Sequence, residues 1–374
     1  MIAALHETQP RAPLLEGADA ARALDAAQRL FESALPLLAG RPGAPEAIGR
    51  YGGAALVAES LVRAGRLGER SLHDVLREAL VFAPDRLSLY DGAAGLLVVL
   101  DAVAAGGTSS ALSAARTRLR DALAASLLEP PPLDFSNPRT YDLISGFAGR
   151  AIALGAEVPQ TFPALRAFAQ AFAAEAERRI GSGDPSLEFT VNLGVSHGVP
   201  GILAALNAAL PHDRELGDRY VRLLLACSHV VNGERRWDGV WRRAERPAAR
   251  RAWCYQTVGV AAVLADRARL DGDAALFALA AGALRGVLDD PEPDDGNAAL
   301  CHGRSGVAAL ASHFPGDPRL MHHARRLARA VLDDCHALER TSFLDGALGI
   351  AQFFIDAATG QQRRWLRLFG LLPT

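Results

Sequence analysis

Cys254 and the adjacent pair Cys301–His302 are the residues of this 374-residue chain best suited to hold a metal ion. Two thiolates and one imidazole form a tetrahedral zinc set with the fourth position open, the pattern of a catalytic rather than a structural site. The set is usable only if its two segments, 47 and 48 residues apart in sequence, meet in the fold. The chain lacks the close Cys-x-x-Cys spacing that marks a zinc site by itself, and a buried cysteine also serves as a small hydrophobe. Four further residues are acid–base candidates: His197 just before Gly198, Asp142 four residues before Gly146, and Asp91 and Asp345 directly before Gly92 and Gly346. Asp91 and Asp345 read equally as helix N-caps, and Asp142 and His197 as a hydrogen-bonded structural pair.

All of these residues fall in or beside one recurring phrase: glycine, two residues, glycine, then an apolar run. It reads DGAAGLLVVL at 91–100, SGFAGRAIAL at 145–154, HGVPGILAAL at 198–207, HGRSGVAAL at 302–310 and DGALGIAQFF at 345–354. A degraded copy, YQTVGVAAVL, lies at 255–264 with Gln256 at the first glycine position, and a weaker one, YGGAALVAESL, at 51–61. The second glycines of the six clearer copies are 54, 52, 58, 47 and 43 residues apart. Repetition at a fixed period is the mark of repeat architecture, and each interval has room for two helices. The helix begun by the phrase is apolar nearly all round, so it belongs inside. The second, as in residues 109–128 and 164–180, has apolar residues at three- and four-residue steps with charge opposite, so it covers the first from outside. Seven copies predict an all-α fold: an α/α toroidal barrel of about seven helix pairs, in inner and outer rings, with the phrases gathered at one end. An open helical solenoid is the alternative. Residues 1–20 read as an N-terminal extension and 21–374 as a single barrel.

The bulk properties fit such a domain. Half the residues are apolar, and the formal charge of −2 argues against nucleic-acid binding by bulk electrostatics. Four scattered cysteines are not a disulfide framework, which leaves Cys227 and Cys335 as packing residues. No apolar run approaches the ~18 residues of a membrane span, and no secretory signal is legible at the start, so a cytoplasmic protein is expected. The stretch 232–251 is rich in arginine and tryptophan. It reads as a loop or small hairpin over the barrel mouth, turning at Trp237–Val240. Arg235, Arg236, Arg242 and Arg243 are either a solvated face or a contact for an acidic or leader-bearing peptide.

Taken in order, YDLISGFAG, NLGVSHG, R-x-x-x-C-Y, CHG and LDGALG resemble the signature motifs of the lanthionine synthetase C-like family, over about residues 50–355. The resemblance implies an α/α barrel with zinc at one end, held by Cys254, Cys301 and His302. It implies His197 as the acid–base catalyst, with Asp142, Arg250 and Tyr255 as the other active-site residues. Arg250, not Arg251, has the matching four-residue distance to the cysteine. The implied activity is that of a zinc-dependent lanthipeptide cyclase, adding peptide cysteine thiols to dehydroalanine or dehydrobutyrine to form thioether rings. The partners are then a dehydrated precursor peptide and a separate dehydratase. Addition of glutathione or another thiol, and a non-catalytic scaffold for a dehydratase, are the alternatives within the family. A glycoside hydrolase using two of Asp91, Asp142 and Asp345 would leave the cysteine–histidine set without a purpose. One departure stands out: Gln256 occupies the place of a family glycine beside Cys254. If that place requires a positive φ, glutamine strains the turn.

Overall fold

The computed structural model describes residues 11–39, 52–81, 86–104, 110–187, 190–242, 251–290, 297–334 and 340–373. Among them are fourteen α-helices and one short two-stranded hairpin. None of these helices is long and apolar enough to cross a membrane.

Seven helices start at the recurring phrase: α2 (Gly53–Arg63), α4 (Ala93–Ala104), α6 (Phe147–Leu154), α8 (Val199–Ala209), α10 (Thr257–Asp271), α12 (Arg304–Ala311) and α14 (Ala347–Thr359). Their sequences offer no polar face, and they are buried almost throughout; in α4 every residue from Ala93 to Leu100 is buried. Each packs against the next in order, and α14 packs against α2, so the ring closes. An open solenoid is thereby excluded. The alternate helices α1 (Gly17–Ala39), α3 (Glu69–Val81), α5 (Ser110–Leu128), α7 (Phe162–Gly181), α9 (Arg214–Ala226), α11 (Ala274–Asp289) and α13 (Pro318–Asp334) form the outer layer. They are amphipathic as their spacing requires: α13 buries Leu320, Met321, Ala324, Leu327, Ala328, Val331 and Leu332, a single stripe. Asp213 and Asp273 start α9 and α11 by accepting the Leu216 and Leu276 amides at 3.2 and 2.9 Å. The first outer helix, α1, covers the last inner one, α14. Leu14 and Leu15 donate to the Ala357 carbonyl at 2.8 and 2.9 Å, which seals the two chain ends together.

The second glycine of the phrase explains how seven turns crowd into one end. A Cβ at Gly306 would stand 1.8 Å from the Leu300 carbonyl oxygen, and one at Gly259 would stand 2.0 Å from that of Trp253. The inner helices α6, α8, α10, α12 and α14 therefore touch their own preceding loops with bare backbone. The centre of the ring is filled by the C-terminal segment, whose 3₁₀ turn Arg364–Phe369 buries Trp365, Leu366, Leu368 and Phe369. Arg367 donates to Ile152 and Ala153 carbonyls on α6 at 3.0 and 2.8 Å, Arg363 to Ala309 on α12 at 2.6 Å, and the Leu372 amide to Asp266 on α10 at 2.8 Å.

The hairpin lies elsewhere than expected. Its strands, β1 (His229–Val231) and β2 (Glu234–Arg236), pair antiparallel around Asn232–Gly233, whose φ values of 52° and 85° are those of a type I′ turn. Trp237 is instead buried, its indole donating to the Leu224 carbonyl at 2.7 Å. β2 packs on the outer helix α11. Of the arginines read as either a solvated face or a peptide contact, those described here make contacts within the fold. Arg236 is buried against Asp290 (2.8 Å) and the Gly286 carbonyl (2.6 Å), Arg235 holds Ser228 Oγ at 2.5 Å, and Arg242 lies 3.8 Å from Asp238. Asn-Gly was the stronger turn signal in the sequence, and the buried indole explains why the chain does not turn at Trp237. Arg243 lies outside the described residues.

Candidate active site

The turns before successive inner helices are stitched edge to edge by backbone hydrogen bonds. Leu89 donates to Ile144 (3.0 Å), Leu143 to Ser196 (3.1 Å), Ser196 to Cys254 (3.3 Å), Trp253 to Cys301 (3.1 Å) and Cys301 to Leu344 (3.0 Å). This ladder makes residues far apart in sequence into neighbours. Cys254 and Cys301 come together because their turns are consecutive rungs. Cys254 Sγ stands 3.1 Å and Cys301 Sγ 3.8 Å from His302 Nε2. All three donor atoms lie within 4.8 Å of one another, and they form the one such cluster of His, Cys, Asp and Glu among the described residues. The edges of a ligand tetrahedron around zinc, from bond lengths of about 2.3 Å to sulfur and 2.0 Å to nitrogen, are about 3.5–3.8 Å. The donor set and its spacing therefore fit zinc.

The electrostatics fit as well. The Cys254 thiol is pulled down to about 6, first by the hydrogen bond from Cys301 and then, against burial, by His302. Cys301 is pushed up by the same contact and by burial, so the two sulfurs share one proton. His302 is raised to about 10, first by Asp345 and then by Cys254. Its Nε2 faces the sulfurs while Nδ1 is 3.6 Å from Asp345 Oδ1, and the imidazole is half exposed. A carboxylate on the far nitrogen of a ligating histidine fixes the tautomer that leaves Nε2 free to ligate. Asp345 is not a cap, because Gly346 starts α14 with no side-chain cap bond. Asp91 accepts from Ser88 and pairs with Arg86 at 2.9 Å.

Beside the cluster stands a histidine–aspartate pair. His197 Nδ1 is 2.6 Å from Asp142 Oδ2. Asp142 is buried, and its other oxygen accepts the Ser145 and Gly146 amides at 2.7 and 2.9 Å at the start of α6. The carboxylate is thus fixed by backbone on one side and orients the imidazole with the other. Tyr255 packs near His197, ring centroids 6.1 Å apart. Its phenol is raised above its ordinary value, first by burial and then by the negative charge of Cys254, and so remains a donor at neutral pH. Arg250 lies outside the described residues. The neighbouring Arg251 donates to the Asp290 carbonyl at the end of α11. Cys227 is buried with its thiol pushed up to about 12 by desolvation, as a packing residue's would be; Cys335 lies outside the described residues.

A lanthionine synthetase C-like family model matches residues 69–369. The chain belongs to that family. Among solved structures, a nisin cyclase superposes with a TM-score of 0.72 over 92% of this chain and 97% of its own, at 15% sequence identity. At that identity the likeness is one of fold, and the family's α/α toroid is the fold described above. No curated protein matches the chain in sequence. Asp142, His197, Cys254, Tyr255, Cys301 and His302 all fall at the stitched end of this toroid.

Sequence reading did not single out the supports of these residues. Ser196 binds the Cys254 carbonyl through both its amide and its hydroxyl, the latter at 3.1 Å, and so fixes the Cys254 turn from the His197 turn. Trp253 donates to the Phe369 carbonyl at 2.9 Å and packs on that ring, and the Tyr90 hydroxyl bonds the Leu368 carbonyl. The C-terminal segment is therefore the floor of the cluster. Only the position of Ser196 next to His197 carried a signal; the segment's aromatics read simply as core.

Proposed function

We propose that this protein is a zinc-dependent lanthipeptide cyclase, in which Cys254, Cys301 and His302 hold the metal and His197 moves the proton. The observation that carries the reading is the convergence of two sulfurs and an imidazole nitrogen within 4.8 Å, next to an oriented His197–Asp142 pair. Zinc, when bound, keeps a substrate thiol deprotonated at neutral pH, where a free thiol with pKa ~8.5 is mostly protonated. Two protein thiolates in the ligand set favour an electron-rich, reactive sulfur over a tightly held one.

The substrate sulfur forms a bond to the β-carbon of dehydroalanine or dehydrobutyrine, and the double-bond electrons pass to the carbonyl as an enolate. The chain's own side chains complete the addition. Asp142 holds the Nδ1 proton of His197, leaving Nε2 to take the proton that the substrate thiol releases, and His197 then delivers that proton to the α-carbon to finish the thioether. Tyr255 donates to the enolate oxygen while its charge lasts. The nisin cyclase is named for a cyclase activity, and the shared toroid supports the same kind of substrate here, a dehydrated peptide. A separate dehydratase would supply it.

The test is metal content together with turnover. Purified protein is expected to carry about one zinc per chain and to cyclise a dehydrated cysteine-containing peptide, with loss of its free thiol. Cys301→Ala should lose both the zinc and the cyclisation. Wild-type protein that binds no zinc under reducing conditions would sink the reading. If zinc is bound and only external thiols such as glutathione add to the dehydrated peptide, the site stands and the substrate assignment falls.

A further inference from the structure

We propose that Gln256 is a positioning residue: its β-carbon forces the turn that carries Cys254 and Tyr255 into one of two backbone conformations and so sets how both side chains face the site. The inference rests on the reading of Cys254 as a metal ligand.

The repeat supplies its own control. Gln256 precedes α10 as Gly146, Gly198, Gly303 and Gly346 precede α6, α8, α12 and α14. The four glycines have φ of −95°, −144°, −126° and −144°, with ψ of −162°, −163°, −178° and −164°. Gln256 shares their ψ, at −160°, but its φ is +67°. That combination is a region populated essentially by glycine alone, and a residue held there is a source of local strain that its surroundings must enforce.

The cause is visible at the glycines. A Cβ on Gly198 would stand 2.1 Å from the Asn192 oxygen, and one on Gly146 2.3 Å from the Asp142 nitrogen. The turn folds back on itself so closely that no side chain fits at negative φ. Gln256 has a side chain, and its φ is the one that differs. The helix it starts is undisturbed, since its carbonyl still accepts the Val260 amide at 3.4 Å. With α10 fixed in the ring and ψ unchanged, the whole difference lies in rotation about the N–Cα bond of Gln256. Everything attached on the N-terminal side of that bond, beginning with Tyr255 and Cys254, takes its orientation from it. Of the five turns, the one carrying a lone cysteine ligand is the one built this way.

A glycine at position 256 could take either conformation. The competent fraction then falls, and the apparent metal affinity falls with it. Alanine keeps the β-carbon and hence the constraint. The experiment uses the full chain with cobalt(II) as probe, reading its sulfur charge-transfer and ligand-field bands and its affinity by chelator competition. Gln256→Ala should match wild type in spectrum and within about twofold in affinity. Gln256→Gly should bind about five- to tenfold more weakly, with altered ligand-field bands, while its circular dichroism remains that of the folded toroid. Identical spectra and affinities for Gln256→Gly and wild type would overturn the proposal. So would an alanine variant perturbed as much as the glycine one, because the amide rather than the β-carbon would then be responsible. Wild type without cobalt binding would instead remove the metal reading on which it rests.

Discussion

Two histidine–aspartate pairs in this molecule have the same contact distance and opposite surroundings. His197 Nδ1 meets Asp142 Oδ2 at 2.6 Å, and His313 Nε2 meets Asp266 Oδ1 at 2.6 Å. Both carboxylates are buried, but the His197 side chain is 33% exposed and that of His313 0%. Asp142 is held by two amides of its own turn, so the pair depends on nothing beyond the site. Asp266 pairs also with Arg269 at 2.9 Å and accepts the Leu372 amide at 2.8 Å, so that pair locks the C-terminal segment to α10. Nδ1 of His313 has no hydrogen-bond partner among the described residues and is sealed from water. A histidine–aspartate contact therefore does not by itself define an acid–base group. What matters is whether the second imidazole nitrogen can reach a substrate: His197 is part-exposed, as the proposed acid–base role requires, and His313 is sealed.

Substitution of each histidine should separate the two roles. His197→Asn is expected to lower the rate of cyclisation by about 10²- to 10⁴-fold, the range for loss of a general acid–base group, with zinc content and melting temperature near those of wild type. His313→Asn should do the reverse. It disturbs a buried hydrogen-bonded pair and costs about 1–3 kcal/mol of stability, while the rate per folded molecule stays within about twofold. Matched kinetics and melting curves check both. If the His313 variant lost activity at full stability, or the His197 variant melted early at full activity, the division would be broken.

A smaller loss isolates the orienting role of the carboxylate. Asp142→Asn keeps an oxygen for the Ser145 and Gly146 amides but can no longer favour the tautomer of His197 that carries its proton on Nδ1. A fall of about ten- to a hundredfold in kcat is expected, with KM and zinc content close to those of wild type, since the imidazole remains in place and only its orientation and tautomer are released. An unchanged kcat would mean that His197 needs no orienting carboxylate.

The same contrast between a motif and its surroundings governs what the sequence could convey. The ring was legible because its inner helices have no polar residues to show solvent and its turns repeat the same glycine pair. The candidate ligands were legible because Cys254 and Cys301 sit at the same point of that repeat, with His302 one residue further on. Closure itself was less so: it depends on α14 meeting α2 and on α1 covering α14, contacts between chain ends that no local pattern encodes. His313 and Asp266 could not be recognised as a pair, because one closes α12 and the other lies inside α10, positions without a motif. The role of the hairpin arginines was not legible, since an arginine count does not distinguish a guanidinium in water from one fastened, as that of Arg236 is, to Asp290. Gln256 was visible as a departure, but the reason glycine is needed there is the close approach of the turn, not a positive φ.

The weakest expected signal is a pH dependence that only the buried pair should show. His313 is lowered to about 4, chiefly by burial, which the attraction of Asp266 offsets only in part and the nearby Arg269 reinforces. Protonation would also place a second N–H where nothing accepts it. The unfolded chain, with a histidine near ~6.5, takes up this proton well before the folded one does. Between those two values the unfolded state binds more protons, so the slope of unfolding free energy against pH is positive. The contribution of His313 is accordingly whole above about pH 6.5 and is lost as the pH falls toward 4, by an amount on the order of 1–3 kcal/mol. Denaturant titrations from pH 4 to 7 should show this slope in wild type and a flatter one in His313→Gln, with the other acid-sensitive groups common to both. Equal slopes would mean that the buried imidazole is already charged in the folded protein. The pair would then be an ion pair like the others around it, and burial would not be what distinguishes it from His197 and Asp142.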